Sequence, residues 1–354
     1  MRMLNTKLCV EGSGTWFELT FLLSPAVRPS QTDGMLRRKC RSKARLDGKT
    51  VVITGANTGI GKGAALDLAS RGGRVILACR DLKRAQDAAD DIRKQTSGIE
   101  GAGEVLVVRL DLASLASVRE CAQLLLRTEK HIHILVNNAG MCFCPKGLTE
   151  DGFETQLGVN HFGHFLFTCL LLPRIIQSAP ARIIMVSSSF HHMDPDIPLD
   201  DVAWENRPYS TFKAYSQSKL ANILFAKELA VRLQGTGVTT YALNPGRVKT
   251  EALRYADDSM FRGATRIFGI IGFMSMTPLQ GAQTIVYCAV DEKVAEESGL
   301  YYRNCLLKEV IEGKIEGRIE VARRRGRRRK KMLDDLGDRI GYCHLKEKAL
   351  DRIK

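Results

Sequence analysis

The sequence predicts a single α/β domain built on a parallel, doubly wound sheet. Three observations carry this. Short runs rich in β-branched residues alternate with longer helical patterns from residue 46 to residue 305. The first run passes straight into a glycine-rich turn and then a helical segment. The stretch 46–302 has no net charge, although the whole chain is formally +14. The surplus sits at the ends: residues 1–45 hold nine Lys or Arg against three Asp or Glu, and residues 303–354 hold seventeen against nine. The basicity therefore says little about the partner of the central domain, and nucleic acid is not expected there. At 354 residues and 44% hydrophobic, the chain is ample for a core and somewhat longer than one such domain needs. The expected organisation is a basic N-terminal segment over 1–45, one domain over 46–305 and a basic tail over 306–354.

Ten cysteines are scattered without a C-x-x-C pair, and Cys142 and Cys144 alone make a poor metal signature. Indifferent thiols in a reducing, intracellular compartment are the simple reading. No run of 18 or more apolar residues is present. The apolar stretch Phe165–Leu172 stops at Pro173 and reads as a buried or interface helix.

Residues 1–45 are irregular until Leu46. Arg37, Arg38, Lys39, Arg41, Lys43 and Arg45 form a basic approach, read either as a solvated linker or as a membrane-surface or targeting segment. Lys49 to Thr54 is the first strand. Gly55-Ala56-Asn57-Thr58-Gly59-Ile60-Gly61 follows, and Ala64 to Arg71 reads as a helix closed by Gly72-Gly73. Strand, glycine turn and helix together build an anion site. Backbone amides and a helix N-terminus face a phosphate, and glycines let a pyrophosphate approach. The spacing G-x-x-x-G-x-G differs from G-x-G-x-x-G and alone would pass for a tight turn; the two flanks make it a dinucleotide site.

Arg74 to Cys79 is the second strand. An acid at its end would bind a ribose 2′-hydroxyl; here Cys79 stands there, followed by Arg80. A guanidinium suits a 2′-phosphate, with Lys62 able to add to it, so NADP(H) is expected over NAD(H). Glu104 to Leu112 is a third strand whose Asp111 either touches adenine or caps the following helical segment, Ser114 to Glu129. His133 to Asn137 is the fourth strand, and Asn138-Ala139-Gly140 are small enough for the backbone to lie against a cofactor. Asn160 lies in the next helical region, where a lone Asn is ordinarily a kink or a packing polar group. Arg182 to Ser187 is the fifth strand. The hydroxyl of Ser188 beyond it can donate to an oxyanion, though serines there usually only end the strand.

Tyr215 and Lys219, four apart, share one face of the next helix, 27 residues after Ser188. A cation that close stabilises a phenolate. Lowering a phenol's pKa by about three units takes about 4 kcal/mol of differential stabilisation. Such a phenol exchanges a proton near neutral pH. Alone, the pair is more often a solvated helix face; the motifs upstream set it apart. Gly237 to Asn244 is the sixth strand, turning at Pro245-Gly246. Residues 251–278 are Gly- and Met-rich, as a lid would be. Thr277-Pro278 opens a helix through Ala289, and Gly299 to Cys305 reads as the last strand. The run Arg323–Lys331 is a solvated appendage, with nuclear targeting or polyanion binding as the sharper alternative.

Thr54-Gly-Ala-Asn-Thr-Gly-Ile-Gly61, Asn137-Asn-Ala-Gly140, Asn160, Ser188, Tyr215-x-x-x-Lys219 and Pro245-Gly246, in that order, resemble the short-chain dehydrogenases/reductases. Leu46-Asp-Gly-Lys-Thr50, Ala78-Cys-Arg-Asp81, Gly158-Val-Asn-His161 and Ser218-Lys-Leu-Ala-Asn-Ile-Leu-Phe225 are similar to the NADP-preferring retinol dehydrogenases of types 11 to 14. The resemblance spans roughly residues 37–305 and implies a Rossmann-type sheet. It implies Tyr215 as general acid/base, Lys219 tuning it and binding the nicotinamide ribose, Ser188 polarising the carbonyl, and Asn160 holding a water in a proton relay. The cofactor would lie on Gly55, Asn57, Thr58, Gly59, Ile60, Gly61, Arg80, Asp111, Asn138, Ala139, Gly140, Tyr215, Lys219, Pro245, Gly246, Val248 and Thr250.

The expected substrate is retinol and retinal or another apolar alcohol and aldehyde. The resemblance implies the endoplasmic reticulum membrane or mitochondria, or the cytosol without an anchor. The alternatives are a catalytically weak binding protein of the same fold and a reductase of lipid-derived aldehydes or steroids. A homodimer would use the helices around Phe162–Leu172 and Tyr215–Leu229, apolar on more than one face; a membrane surface is the other expected partner. Three departures stand out: Asn244 where relatives carry His before Pro-Gly, no evident apolar anchor at the start, and the Arg-rich tail.

Overall fold

The computed structural model describes residues 39–194, 196–248, 255–259 and 276–307. Thr250, most of the Gly- and Met-rich stretch, most of the basic N-terminal segment and nearly all of the basic tail lie outside the described residues. In chain order the elements are β1 (Thr50–Thr54), α1 (Gly59–Ser70), β2 (Arg74–Cys79), α2 (Leu82–Thr96), β3 (Val105–Arg109), α3 (Leu115–Thr128) and β4 (Ile134–Asn137). Then come α4 (Thr155–Gln177), β5 (Ala181–Val186), α5 (Thr211–Arg232), β6 (Val238–Asn244), α6 (Pro278–Val290), β7 (Leu300–Arg303) and β8 (Leu306–Leu307).

The strands form one sheet in the order β3-β2-β1-β4-β5-β6-β7-β8. Seven are parallel, as expected of a doubly wound sheet. Strand period decides which face each residue feeds. On β1, Val51 and Ile53 enter the core under α1, α2 and α6, while Val52 enters the core under α3, α4 and α5. The chain winds outward from β1 to β3, then returns to β4 on the other side of β1. A crevice opens there, beyond the C-terminal ends of β1 and β4.

Three details depart from the sequence expectation. The helix through the apolar stretch does not stop at Pro173 but runs to Gln177. Leu171 and Ile175 are fully buried, and Arg174 donates to the carbonyls of Glu129 and Leu126 at the end of α3. Packing and these bonds hold the last turn despite the amide that proline lacks. Second, Asn304 and Cys305 both take positive φ, 56° and 55°, so β7 turns back into the antiparallel two-residue β8. Two consecutive left-handed residues make the tight turn a hairpin needs. Third, residues 39–45 pack on the domain: Cys40 N donates to Gln283 Oε1 at 3.1 Å, and Arg71 Nη1 donates to Ser42 O and Ala44 O at 2.9 and 3.0 Å.

Helix α4 is the one described helix long and apolar enough to cross a membrane, and half of its apolar window is buried, as in a core helix. It contains a π-helical turn at Gly158–Phe162, centred on Asn160. Such a turn frees a carbonyl from the helical ladder.

Among the described glycines, the one with the least room for a Cβ lies before β3. A Cβ on Gly103 would stand 1.9 Å from Gly73 O, whereas one on Gly98 would meet nothing within 4 Å. Gly103→Ala should lower the unfolding free energy by about 1–3 kcal/mol, since backbone must move. Gly98→Ala should be neutral or stabilise by up to about 1 kcal/mol through the unfolded chain. Urea titrations of both variants check this pair.

Candidate active site

The crevice is built first by glycines. Gly55 and Gly59 have φ of +64° and +57°, a region L side chains avoid. A Cβ on Gly55 would lie 2.8 Å from Ala139 Cα, and one on Gly61 would lie 2.5 Å from Asn138 Nδ2 and 2.6 Å from Gly55 O. The turn is therefore stacked directly on the segment after β4. Thr58 is the N-cap of α1 yet makes no side-chain cap bond, so the first amides of that helix stay open to an anion. Ile60, in the first turn of the helix, packs on the core.

Thr54 ties the two halves of the crevice. Its Oγ1 accepts from Asn138 N and Ala139 N, both at 2.9 Å, while Asn138 Nδ2 donates to Thr54 O at 2.9 Å. Beneath the glycine turn, the buried Cys79 thiol faces the amides of Gly55, Ala56 and Asn57; burial pushes its pKa up to about 11, so it is uncharged. Arg80, just beyond, is exposed. A depression of about 190 Å³ between the turn and α2 is lined by Asn57, Lys62, Arg84, Asp87 and Ala88. Lys62 is held there by Asp91 at 2.6 Å. Asp111 stands at the other strand end; its carboxylate accepts from Ala113 N at 3.0 Å, and Ser114, not Asp111, caps α3.

Helix α5 carries Tyr215 and Lys219 into the crevice from the other side. The Tyr215 ring lies edge-on to Phe143 and Phe190, with centroids 5.3 and 5.8 Å away. The Ser188 hydroxyl lies near enough to oppose an upward shift of the Tyr215 pKa, caused chiefly by burial. Lys219 Nζ donates to Val186 O at 3.1 Å and lies 5.7 Å from the Tyr215 ring centroid. Burial lowers its pKa to about 8. The sequence predicted a phenol depressed by its lysine. In the structure burial outweighs that effect and raises the phenol, while Lys219 stays 5.7 Å from the ring centroid.

Asn160 is fully buried and works as a brace. Its Oδ1 accepts from Met141 N at 2.9 Å, and its Nδ2 donates to Met141 O at 2.9 Å and Ser218 Oγ at 3.0 Å. Its main-chain carbonyl accepts from Asn222 Nδ2 at 3.0 Å and contacts His164 Nδ1 at 3.0 Å. Asn160 is thus joined to α5 through both its side chain and its carbonyl. Gly140 sits where these side chains converge: a Cβ there would be 3.1 Å from Asn160 Oδ1 and 3.3 Å from Lys219 Nζ. Pro245 and Gly246 follow β6; Gly246 has φ +87° and its amide donates to Asn244 Oδ1 at 2.9 Å. Val248 bridges to Met276 at the edge of the same crevice.

The structure thus brings Gly55 and Gly61 onto Ala139 and Asn138, Gly140 next to Asn160 and Lys219, and Ser188 near Tyr215; Asn57 lines the depression beside α2, and Arg80 and Asp111 follow the ends of β2 and β3. Sequence reasoning gave no role to Thr54, His164, Ser218 or Asn222. Thr54 opens the glycine motif and Asn222 follows Lys219 by three, but hydroxyl and amide side chains carry no pattern that foretells a long-range partner.

Residues 49–197 match the family model described as short chain dehydrogenase. The chain is 48% identical to human retinol dehydrogenase 12 over 82% of this chain and 87% of that protein. It is 48% identical to human retinol dehydrogenase 13 over 80% and 84% of the two chains. Among solved structures, a gluconate 5-dehydrogenase from Beutenbergia cavernae with bound NADP aligns at TM-score 0.55 and 26% identity, covering 73% of this chain and 96% of that one. The chain belongs to the short-chain dehydrogenases, a family of nicotinamide-dependent oxidoreductases. Within it, the chain is a member of the retinol dehydrogenase 11 to 14 group. The residues fit such a cofactor: the uncapped start of α1 leaves amides that would hold a dinucleotide's phosphates, and the backbone at Gly140, beside Asn160 and Lys219, is where a nicotinamide would rest.

The buried lysine has a consequence for stability. Between its folded pKa of about 8 and its ordinary 10.5, the unfolded chain keeps a proton that the folded chain has shed. This residue therefore makes stability rise with pH across that window and costs stability below it. The whole shift is worth about 3 kcal/mol. Lys219→Met should be more stable than the parent at pH 7, and the gap should shrink or reverse at pH 10. Urea titrations of both chains at the two pH values check it; a gap independent of pH contradicts a buried cation.

Proposed function

We propose that this protein is an NADP(H)-dependent oxidoreductase that interconverts retinol and retinal, or similar apolar alcohols and aldehydes. The observation that carries it is the Ser188–Tyr215 hydroxyl pair set beside Lys219 and Gly140 and walled by Phe143 and Phe190. A carbonyl oxygen can meet both hydroxyls there, while the aromatic edges suit a hydrocarbon substrate. The names of the relatives support the retinoid class. A nicotinamide bound at Gly140 would exchange a hydride with the alcohol carbon. The chain's own groups supply position and proton. Tyr215 gives its proton to the carbonyl oxygen in reduction and takes it back in oxidation. Ser188 donates to the same oxygen as charge develops. Lys219, with its charge close by, steadies the phenolate that remains. Asn160 holds the Gly140–Met141 wall against α5.

The proposal for NADP(H) rests on the end of β2. A neutral Cys79 puts no carboxylate there to bind a 2′-hydroxyl and repel a 2′-phosphate. Exposed Arg80 offers a planar fork of donors, and Lys62 and Arg84 line the neighbouring depression. The rival reading is a protein of this fold that binds the cofactor without turnover.

NADPH oxidation with a panel of apolar aldehydes separates the two. Tyr215→Phe should lower kcat by about 10² to 10⁴-fold with NADPH affinity kept. Near-normal turnover in that variant would sink the assignment. One charged hydrogen bond to the 2′-phosphate, about 1.5–3 kcal/mol, predicts NADPH over NADH by about one to two orders of magnitude. Cys79→Asp with Arg80→Leu should invert that preference in kcat/KM, because it installs repulsion as well as removing attraction.

A further inference from the structure

His164, on α4 one turn past Asn160, is fully buried and touches neither the crevice nor solvent. Its two ring nitrogens face Thr54 Oγ1 at 2.8 Å and Asn160 O at 3.0 Å. The partners fix its tautomer. A backbone carbonyl has no proton to give, so Nδ1 carries the hydrogen and donates to Asn160 O. Nε2 is then a bare acceptor and receives the Thr54 hydroxyl proton. That leaves both lone pairs of Thr54 Oγ1 for the amides of Asn138 and Ala139, which they accept at 2.9 Å. Every donor and acceptor in the chain is satisfied in one direction only: amides to Thr54, Thr54 to His164, His164 to Asn160.

We propose that His164 is a positioning residue, a strut that sets the Asn160 brace, and through it Gly140 and Met141, in register with the glycine turn that follows Thr54. The Asn160 carbonyl lies in the π-turn of α4, and Asn222 from α5 donates to it as well. The floor of the nucleotide crevice and the wall that carries Lys219 therefore form one unit. Burial keeps the imidazole neutral at working pH, with a pKa near 3, and the buried neighbours Lys219 and His161 push in the same direction. Only a neutral ring can bridge a donor on one side and an acceptor on the other.

The strut rests on the reading of Tyr215 and Lys219 as reacting groups for its kinetic effect, but its tautomer does not. Two-bond ¹⁵N–¹H NMR of the full chain labelled at histidine tests the tautomer without turnover. The His164 signals, assigned by their loss in a His164 variant, should show protonated Nδ1 and bare Nε2 and stay unshifted from pH 5.5 to 8. Protonated Nε2, or titration near 6.5, overturns the proposal.

Kinetics test the positioning. His164→Asn keeps a donor for Asn160 O, and His164→Gln keeps an acceptor for Thr54. Each should lower kcat by about tenfold to a hundredfold while KM for NADPH stays within about threefold. Thr54→Ser, which keeps the hydroxyl, should restore most of what Thr54→Val loses. Parent-like kcat in both histidine variants, or equal loss in Thr54→Ser and Thr54→Val, contradicts the strut. A parent chain without turnover would instead refute the proposed function and leave the NMR test standing.

Discussion

The site depends on how closely two backbones meet at the switch point of the sheet. The turn after β1 lies on the segment after β4 so tightly that Gly55 and Gly61 have no room for a Cβ. Thr54 fastens the contact with two accepted amide bonds. That contact sets where a pyrophosphate can approach and where Gly140 stands. Gly140 in turn marks the point reached by Asn160 from α4 and Lys219 from α5. Elements far apart in sequence thus converge because one bare surface is left for them.

Burial, more than charge pairing, governs the titrating groups around this surface. It raises Tyr215 and Cys79 and lowers Lys219 and His164. The Tyr215 phenol that would carry proton transfer is therefore held neutral by the protein alone, with the Lys219 side chain beside its ring. Ser188 is the neighbour that pulls the Tyr215 phenol back toward ionisation. An apolar wall beside a hydroxyl pair is a setting in which charge forms only when a substrate oxygen takes up the proton.

Much of this was legible in the chain. The alternation of strands and helices, the glycine turn with its flanks, and Tyr215 four residues before Lys219 are local patterns whose geometry follows from period and spacing. The missing parts are those set by tertiary contact. Pro173 ends many helices, but Arg174 and the packing of Leu171 and Ile175 carry α4 past it. A Tyr–Lys pair suggests a low phenol pKa, yet depth of burial, which sequence does not report, decides the sign. Thr54 and His164 read as an ordinary strand residue and a helix histidine; their meaning appears only when β1 and α4 are seen across the same layer. Cys79 was informative in sequence for what it is not, an acid, and the structure adds that its thiol lies under the loop amides.

The central claim is that a hydride moves between a nicotinamide and an apolar carbonyl at this crevice. Incubating the full chain with retinal and NADPH bearing deuterium on one face of nicotinamide C4, then on the other, tests it directly. Mass spectrometry of the retinol should show one deuterium at the carbinol carbon from one face and none from the other. Tight NADPH binding with retinol left unlabelled from both faces, or with no retinol at all, would contradict the account.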